Sequence, residues 1–214
     1  MLPIRFKPFI GSEYYKQDIK ILILGESHYF GVADLTGYLN GDKRVEMITN
    51  NVVNDYLNYK KDGNNYAKWM NTFTKFSNIL NVKISSTRET IEFWQSISFY
   101  NYVQAPTKGP RISPTKDEFK LSFNALKEVV ESIKPDLIFF WGYRLWKNFP
   151  KENYDSLKSE IEKIHFLKFS YNLPIMVVPH PSSSKFNYGI RDEIIRFING
   201  IKLRATIHNC NCNT

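Results

Sequence analysis

The sequence has little cysteine and no long apolar run. Only Cys210 and Cys212 occur, in a polar C-terminal segment without a hydrophobic pattern, and with His208 they offer too few ligands for a tetrahedral zinc site. We expect residues 206–214 to form a flexible tail. No apolar run reaches the roughly 20 residues that span a bilayer. Residues 1–5 are not followed by a signal-peptide core, so we expect a cytoplasmic protein without membrane contact.

Acidic residues are also scarce relative to basic ones. The chain has 29 Lys and Arg against 21 Asp and Glu, a formal net charge of +8. Clustered positive charge gains free energy by releasing counterions from nucleic acid, so the balance favours a polyanionic partner. The 214 residues are 43% hydrophobic, enough for one packed core. We expect one domain over residues 1–205, acting as a monomer.

Short apolar runs dominate the pattern along the chain. Four of them predict strands, at residues 19–24, 96–103, 136–141 and 174–178. Three of the four are nearly continuous apolar stretches, which is typical of parallel strands covered on both faces. Because parallel strands need helical crossovers, the sequence predicts the α/β class, a three-layer α/β/α sandwich with a central four-stranded parallel sheet.

Helices are predicted between and after these strands. A capping box at residues 115–118 predicts a helix that ends before Pro135. Two further apolar faces predict helices: Tyr154, Leu157, Ile161 and Ile164, and then Ile190, Ile194, Phe197, Ile198 and Ile201. Residues 42–95 predict two or three less regular helices. Their aromatic series, Trp69, Phe73, Phe76, Phe93 and Trp94, has near-helical spacing that indicates core packing rather than a base-stacking platform.

Polar segments follow each predicted strand. In open sheets of this class, ligands bind beyond the carboxyl ends of the strands, so these segments hold the candidate site residues. They are residues 25–29, 101–111, 142–144 and 180–186. Gly25 permits a sharp turn, and His180 lies between two prolines that restrict its backbone.

Four landmarks in order resemble the uracil-DNA glycosylase superfamily. They are Gly25-Glu26-Ser27-His28-Tyr29, the segment that begins at Asn101, the strand that ends at Gly142, and His180-Pro181-Ser182. The pattern is most similar to the branch whose first motif reads Gly-Glu-Ala-Pro-Gly. The resemblance spans about residues 19 to 198. It implies an enzyme that turns a nucleotide out of the stack and breaks the bond between base and sugar.

The resemblance also implies roles for individual residues. His180 would donate a hydrogen bond to the departing base, and Glu26 and Ser27 occupy the water-activating motif. Asn101 would read the edge of the extruded base, and Tyr29 would limit the pocket. Gly25 and His28 complete the predicted base-binding set.

DNA, single- or double-stranded, is the implied partner. The residues expected to contact phosphates are Lys108, Arg111, Ser182, Ser183, Ser184 and Lys185. Arg88 would extend this phosphate track, and Phe186 would be the wedge that fills the vacated stack.

The chain departs from the family pattern at three places. Ser27 stands where the most efficient branch has an aspartate, so Glu26 would orient the water instead. His28 and Tyr29 replace a proline and a glycine, which could admit a base other than uracil. The second motif lacks the usual cysteine, so we expect no iron-sulfur cluster, no metal and no organic cofactor.

Other functions stay open at this stage. The departure at Ser27 is compatible with a protein of the same fold that binds nucleic acid but is catalytically weak or inactive. Hydrolysis of a free nucleotide or nucleoside is a further alternative. A serine hydrolase is disfavoured, because no Gly-x-Ser-x-Gly elbow surrounds Ser27.

Overall fold

A single mixed β-sheet forms the centre of the protein. The computed structural model describes residues 4–80, 86–109, 112–155 and 165–211. Within these ranges, seven strands pair in the order β1-β3-β2-β4-β7-β6-β5. Their bounds are β1 Phe9–Ile10, β2 Ile21–Gly25, β3 Ser98–Asn101, β4 Leu137–Trp141, β5 Tyr154–Asp155, β6 His165–Lys168 and β7 Asn172–Val178.

Helices connect and cover the strands. Their bounds are α1 Val32–Leu39, α2 Ile48–Asp62, α3 Met70–Leu80, α4 Thr87–Gln95, α5 Lys116–Leu121, α6 Phe123–Ile133, α7 Tyr143–Asn148 and α8 Arg191–Asn211. No helix in the described part of the chain is both long and apolar enough to cross a membrane.

The α/β class is confirmed, but the sheet is larger than the sequence predicted. β3, β2, β4 and β7 pair in parallel and correspond to the four apolar runs. β1 joins antiparallel at one edge, and β6 and β5 extend the other edge antiparallel. The predicted central four-stranded parallel sheet is therefore not confirmed as such, since the sheet is mixed; short strands such as β1 and β5 carry too few residues for a periodic signal.

Two apolar cores lie on opposite faces of the sheet. Side chains alternate along β2, so that Ile23 joins one core, whereas Leu22 and Leu24 join the other. The first core contains residues of α2, α3, α4 and α8, and the second contains residues of α5 and α6. Helices on both faces of one sheet make the predicted three-layer sandwich.

Side-chain caps fix where several helices begin and end. Thr115 and Glu118 form the predicted capping box, and Ser86 and Glu89 form a second one at the start of α4. The single helix expected before Pro135 is broken at Ser122, which separates α5 from α6. The Ser122 hydroxyl donates to the carbonyl of Glu118 and accepts the N–H of Gln104, 3.0 Å away.

Three predictions about helices and their packing can be compared with the structure. Tyr154 lies in β5 rather than in a helix, and its expected partners Leu157, Ile161 and Ile164 are outside the described residues. Residues 206–211 continue α8, where a tail was expected, and residues 212–214 are outside the described ranges. The aromatic series of residues 69–94 packs in or against the first core, as expected.

Candidate active site

The candidate site lies at the carboxyl edge of the parallel strands. Glu26 follows β2, Asn101 ends β3, Gly142 follows β4, and His180 lies two residues beyond the end of β7. Because β3, β2, β4 and β7 are neighbours and run in the same direction, all four chain segments leave the sheet at one edge. The side chains expected from the sequence are thus brought to one side of the molecule.

Gly25 makes room for Asn101. The two residues are register partners on adjacent strands, and a Cβ at position 25 would collide with Oδ1 of Asn101. Gly25 therefore has a steric role next to the amide in addition to any role in the turn. A side chain here would displace Asn101 from the edge of the sheet.

Asn101 and His28 form a buried polar pair. Nδ2 of Asn101 lies 3.2 Å from Nδ1 and 3.1 Å from Nε2 of His28, and Oγ1 of Thr49 lies 2.8 Å from Nε2. Nδ2 of Asn101 is almost equidistant from the two ring nitrogens, so the amide lies against the imidazole ring rather than in line with one lone pair. Burial keeps the ring neutral, since it lowers the pKa of His28 to about 3.

Backbone hydrogen bonds hold the Glu26 segment against the segment after β3. The N–H of Val103 donates to the carbonyl of Glu26, and the N–H of Thr107 donates to the carbonyl of His28, each at 2.8 Å. The N–H of Phe30 in turn donates to the carbonyl of Thr107. The first predicted motif is thereby fixed, whereas the side chain of Tyr29 remains exposed.

Arg144 binds the carboxylate of Glu26. Nε of Arg144 donates to Oε2 of Glu26 at 2.8 Å, and Nη2 donates to Oε1. This two-point geometry sets the plane of the carboxylate. Arg144 thus holds the carboxylate of Glu26 in one orientation at the carboxyl edge of the sheet.

His180 is held in one tautomer by the turn that follows it. The N–H of Ser182 donates to Nδ1 of His180 at 3.1 Å, and Oγ of Ser182 lies 2.8 Å from the same atom. Since Nδ1 accepts, the proton of the neutral ring is on Nε2. Desolvation by surrounding protein atoms, and then the charge of Arg144, lower the pKa of His180 and favour this neutral donor, although part of its surface reaches solvent.

Gly142 supports the placement of His180. Its φ of +106° is a conformation that side chains with a Cβ rarely adopt, and a Cβ there would lie 3.3 Å from that of His180. The imidazole also packs edge-on against Trp141, with 6.1 Å between the ring centroids. The end of β4 therefore forms the wall against which His180 rests.

Glu26, Arg144 and His180 are the three groups that the fold brings together. Arg144 hydrogen-bonds to Glu26, and its charge acts on His180. No motif in the sequence indicates a role for Arg144. Only its position in the segment directly after a predicted strand marks it as a candidate site residue. Ser27 is half-buried, and its hydroxyl makes no hydrogen bond within the described ranges.

The predicted phosphate contacts are only partly exposed. Lys108, Ser182, Ser184 and Lys185 are exposed, whereas Ser183 is half-buried and accepts the N–H of Lys185. Arg111 lies outside the described residues. Arg88 forms an ion pair with Glu92 on α4.

The prediction of Phe186 as a wedge was wrong. Only 2% of its surface is exposed, and its ring stacks on Phe76 with a centroid distance of 5.9 Å. The residue belongs to the first core, because that face of the sheet needs apolar cover between α3 and the start of α8. Phe186 therefore cannot enter a base stack without opening the core.

Neither a metal centre nor a relative marks the site. No group of three or more His, Cys, Asp and Glu residues suitable for a metal ion occurs in the described part of the chain. A comparison of the sequence with protein-family models finds no match, and a comparison with curated protein sequences finds none either.

Proposed function

We propose that this protein is a DNA glycosylase of the uracil-DNA glycosylase superfamily, which hydrolyses the N-glycosidic bond of a nucleotide turned out of the stack. The base removed is uracil or a modified base. One observation carries the proposal: the junction of β4 and α7 contacts both groups, since Arg144 holds the carboxylate of Glu26 after β2 and Trp141 packs against His180 after β7. A water-orienting carboxylate and a hydrogen-bond donor for the leaving base are the two groups that this reaction requires.

In the proposed reaction, a water molecule attacks the anomeric carbon of the sugar on the face opposite the base. Its proton passes to Glu26, and the bond between the sugar and the base nitrogen breaks with inversion. The electron pair goes to the departing base, whose negative charge the Nε2–H of His180 stabilises. Because this charge develops only as the bond breaks, the interaction accelerates the chemical step. No metal or organic cofactor takes part in these steps.

A second candidate is a DNA-binding protein of the same fold without catalysis. The amide of Asn101 already contacts the ring of His28, and both carboxylate oxygens of Glu26 already accept from Arg144. The base-reading group and the water-activating group thus have partners within the protein. If the protein releases no base, these internal contacts explain why, and the second candidate is the better account of the site.

Base release from a panel of oligonucleotides distinguishes the two. Single- and double-stranded DNA with uracil or a series of modified bases is incubated with the protein, and mass spectrometry detects the free base. We expect release from at least one substrate, and a fall in rate of about 100-fold for Glu26→Gln. Arg144→Gln should also slow release, mainly through kcat, since it frees the carboxylate to rotate. DNA binding without release from any substrate would support the second candidate instead.

A further inference from the structure

Five Phe, Tyr or Trp side chains are exposed in the described part of the chain, and all are tyrosines. They are Tyr15, Tyr29, Tyr66, Tyr143 and Tyr188. Single exposed rings are common on protein surfaces and need no explanation. These five, however, divide into two groups by position and by packing.

The two tyrosines away from the candidate site pack against other rings. Tyr15 contacts Tyr14 with 5.1 Å between ring centroids, and Tyr66 contacts Tyr59 at 5.4 Å. Tyr66 also accepts a hydrogen bond from Asn71. Their exposed faces are therefore the outer sides of local aromatic pairs.

The other three tyrosines lie in the segments after the parallel strands. Tyr29 follows β2, Tyr143 follows β4, and Tyr188 lies between β7 and α8, with 53%, 56% and 67% of their surfaces exposed. None of the three rings contacts another aromatic ring in the described ranges. β2 and β4 are neighbours in the sheet, so Tyr29 and Tyr143 lie on segments that leave adjacent strands, and Tyr188 lies on the segment that leads from the next strand, β7, to α8.

Free basic side chains belong to the same strand-end segments. Lys108 follows β3 and Lys185 follows β7; both are exposed and neither is in an ion pair with any residue that the structure describes. Unstacked aromatic rings beside unpaired cations are the two components with which proteins bind single-stranded nucleic acid. In a duplex, by contrast, the base faces are already stacked on one another.

We propose that Tyr29, Tyr143 and Tyr188 form a base-stacking edge for single-stranded DNA, with Lys108 and Lys185 contacting its phosphates. This inference rests on the proposed function and names the form of its substrate. Nucleotides on either side of the target base stack on the tyrosines, and the target nucleotide reaches the site between Glu26 and His180.

Fluorescence anisotropy with a labelled oligonucleotide of about 12 nucleotides tests the proposal. The oligonucleotide lacks uracil and modified bases, so that binding is measured without turnover, and the matched duplex is measured at the same salt concentration. We expect the single strand to bind more tightly than the duplex. Tyr143→Ala and Tyr188→Ala should each weaken single-strand binding roughly tenfold, whereas Tyr143→Phe and Tyr188→Phe should retain it, because the stacking face remains.

Tyr15→Ala and Tyr66→Ala are the matched controls, since they remove exposed tyrosines elsewhere. The proposal would be overturned if these controls lost as much affinity for the single strand as Tyr143→Ala and Tyr188→Ala. Unchanged affinity of those two test variants, or tighter binding of the duplex, would also overturn it. The proposed function is judged separately, by base release. Tyrosine-dependent binding of single strands with no base released would preserve the stacking edge and reject the glycosylase.

Discussion

The two histidines of the candidate site are both neutral, for different physical reasons. His28 is enclosed, so its charged form would lose the solvent that stabilises it. His180 accepts a hydrogen bond from Ser182 and lies near a guanidinium. His28 is therefore a structural support of the first motif, and His180 is the donor in the proposed reaction.

The burial of His28 predicts a pH-dependent stability. Its pKa is about 3 in the folded protein against 6.5 as the ordinary value. As the pH falls through 6.5, the unfolded chain binds a proton that the folded chain does not, so the free energy of unfolding decreases by up to about 1.4 kcal/mol per pH unit. Urea unfolding from neutral pH down to about pH 4 should show this decrease, and His28→Gln should reduce its slope. Equal slopes for the two proteins would contradict the assignment.

At the scale of elements, the junction of β4 and α7 sets the geometry of the site. Gly142 accepts the unusual backbone angle between these elements, Trp141 packs against His180, and Arg144 reaches Glu26 from the first turn of the helix. One short junction thus contacts the elements that follow β2 and β7.

Gly142→Ala should damage both stability and activity. The positive φ costs about 1–3 kcal/mol for a residue with a Cβ, and the new methyl group would press on His180. Gly31→Ala is the control, because Gly31 has an ordinary φ of −69° and a Cβ there would meet no other atom within 4 Å. Denaturant unfolding of the two variants checks the difference. A loss for Gly31→Ala as large as that for Gly142→Ala would argue against the strain.

The elements that could be predicted from the sequence are those with a long or capped pattern. The four apolar runs became the parallel strands, and Thr115 with Glu118 marked the start of α5. The interruption at Ser122 was missed because the backbone angles there stay helical and one partner of its hydroxyl, Gln104, is 18 residues away in the sequence. Phe186 was misassigned because a pattern of residue types does not show which side of a loop faces α3.

The sequence predicted those site residues that lie at or just after the ends of strands. Glu26 and His180 were expected at the sheet edge because each follows an apolar run, and Asn101 because it lies near the end of one; the fold brings all three to that edge. Their partners were not predictable: Arg144 and Thr49 are 118 and 21 residues distant from Glu26 and His28. Such pairs depend on the relative placement of whole elements, which no local pattern contains.

For the whole molecule, the excess of positive charge and the strand-end edge are the two features that support the proposed DNA partner. The formal net charge of +8 favours a polyanion, and Lys108 and Lys185 present unpaired cations in the segments after β3 and β7, as far as the described residues extend. The sheet order determines that these segments emerge together. The sheet order thus places two exposed lysines in segments that leave the sheet at one edge.

The salt dependence of DNA binding should reveal these contacts. Each phosphate neutralised by a lysine contributes about 0.7 to the slope of log affinity against log salt for single strands. Lys108→Ala and Lys185→Ala should each lower the slope by about that amount, whereas Lys61→Ala, at the end of α2, should not. A titration at several salt concentrations measures the slopes. Slopes that are unchanged in the first two variants would place the DNA elsewhere.

The rate of base release under single-turnover conditions tests most directly whether the strand-end segments form a base-excising site around His180. The comparison uses the wild-type protein, His180→Ala, and His165→Gln as a control in β6, on the substrate that is most readily cleaved. Loss of one donor to a developing negative charge costs about 100- to 1,000-fold in rate. We expect a fall of that size for His180→Ala and little change for His165→Gln. An unchanged rate for His180→Ala would contradict the proposed site.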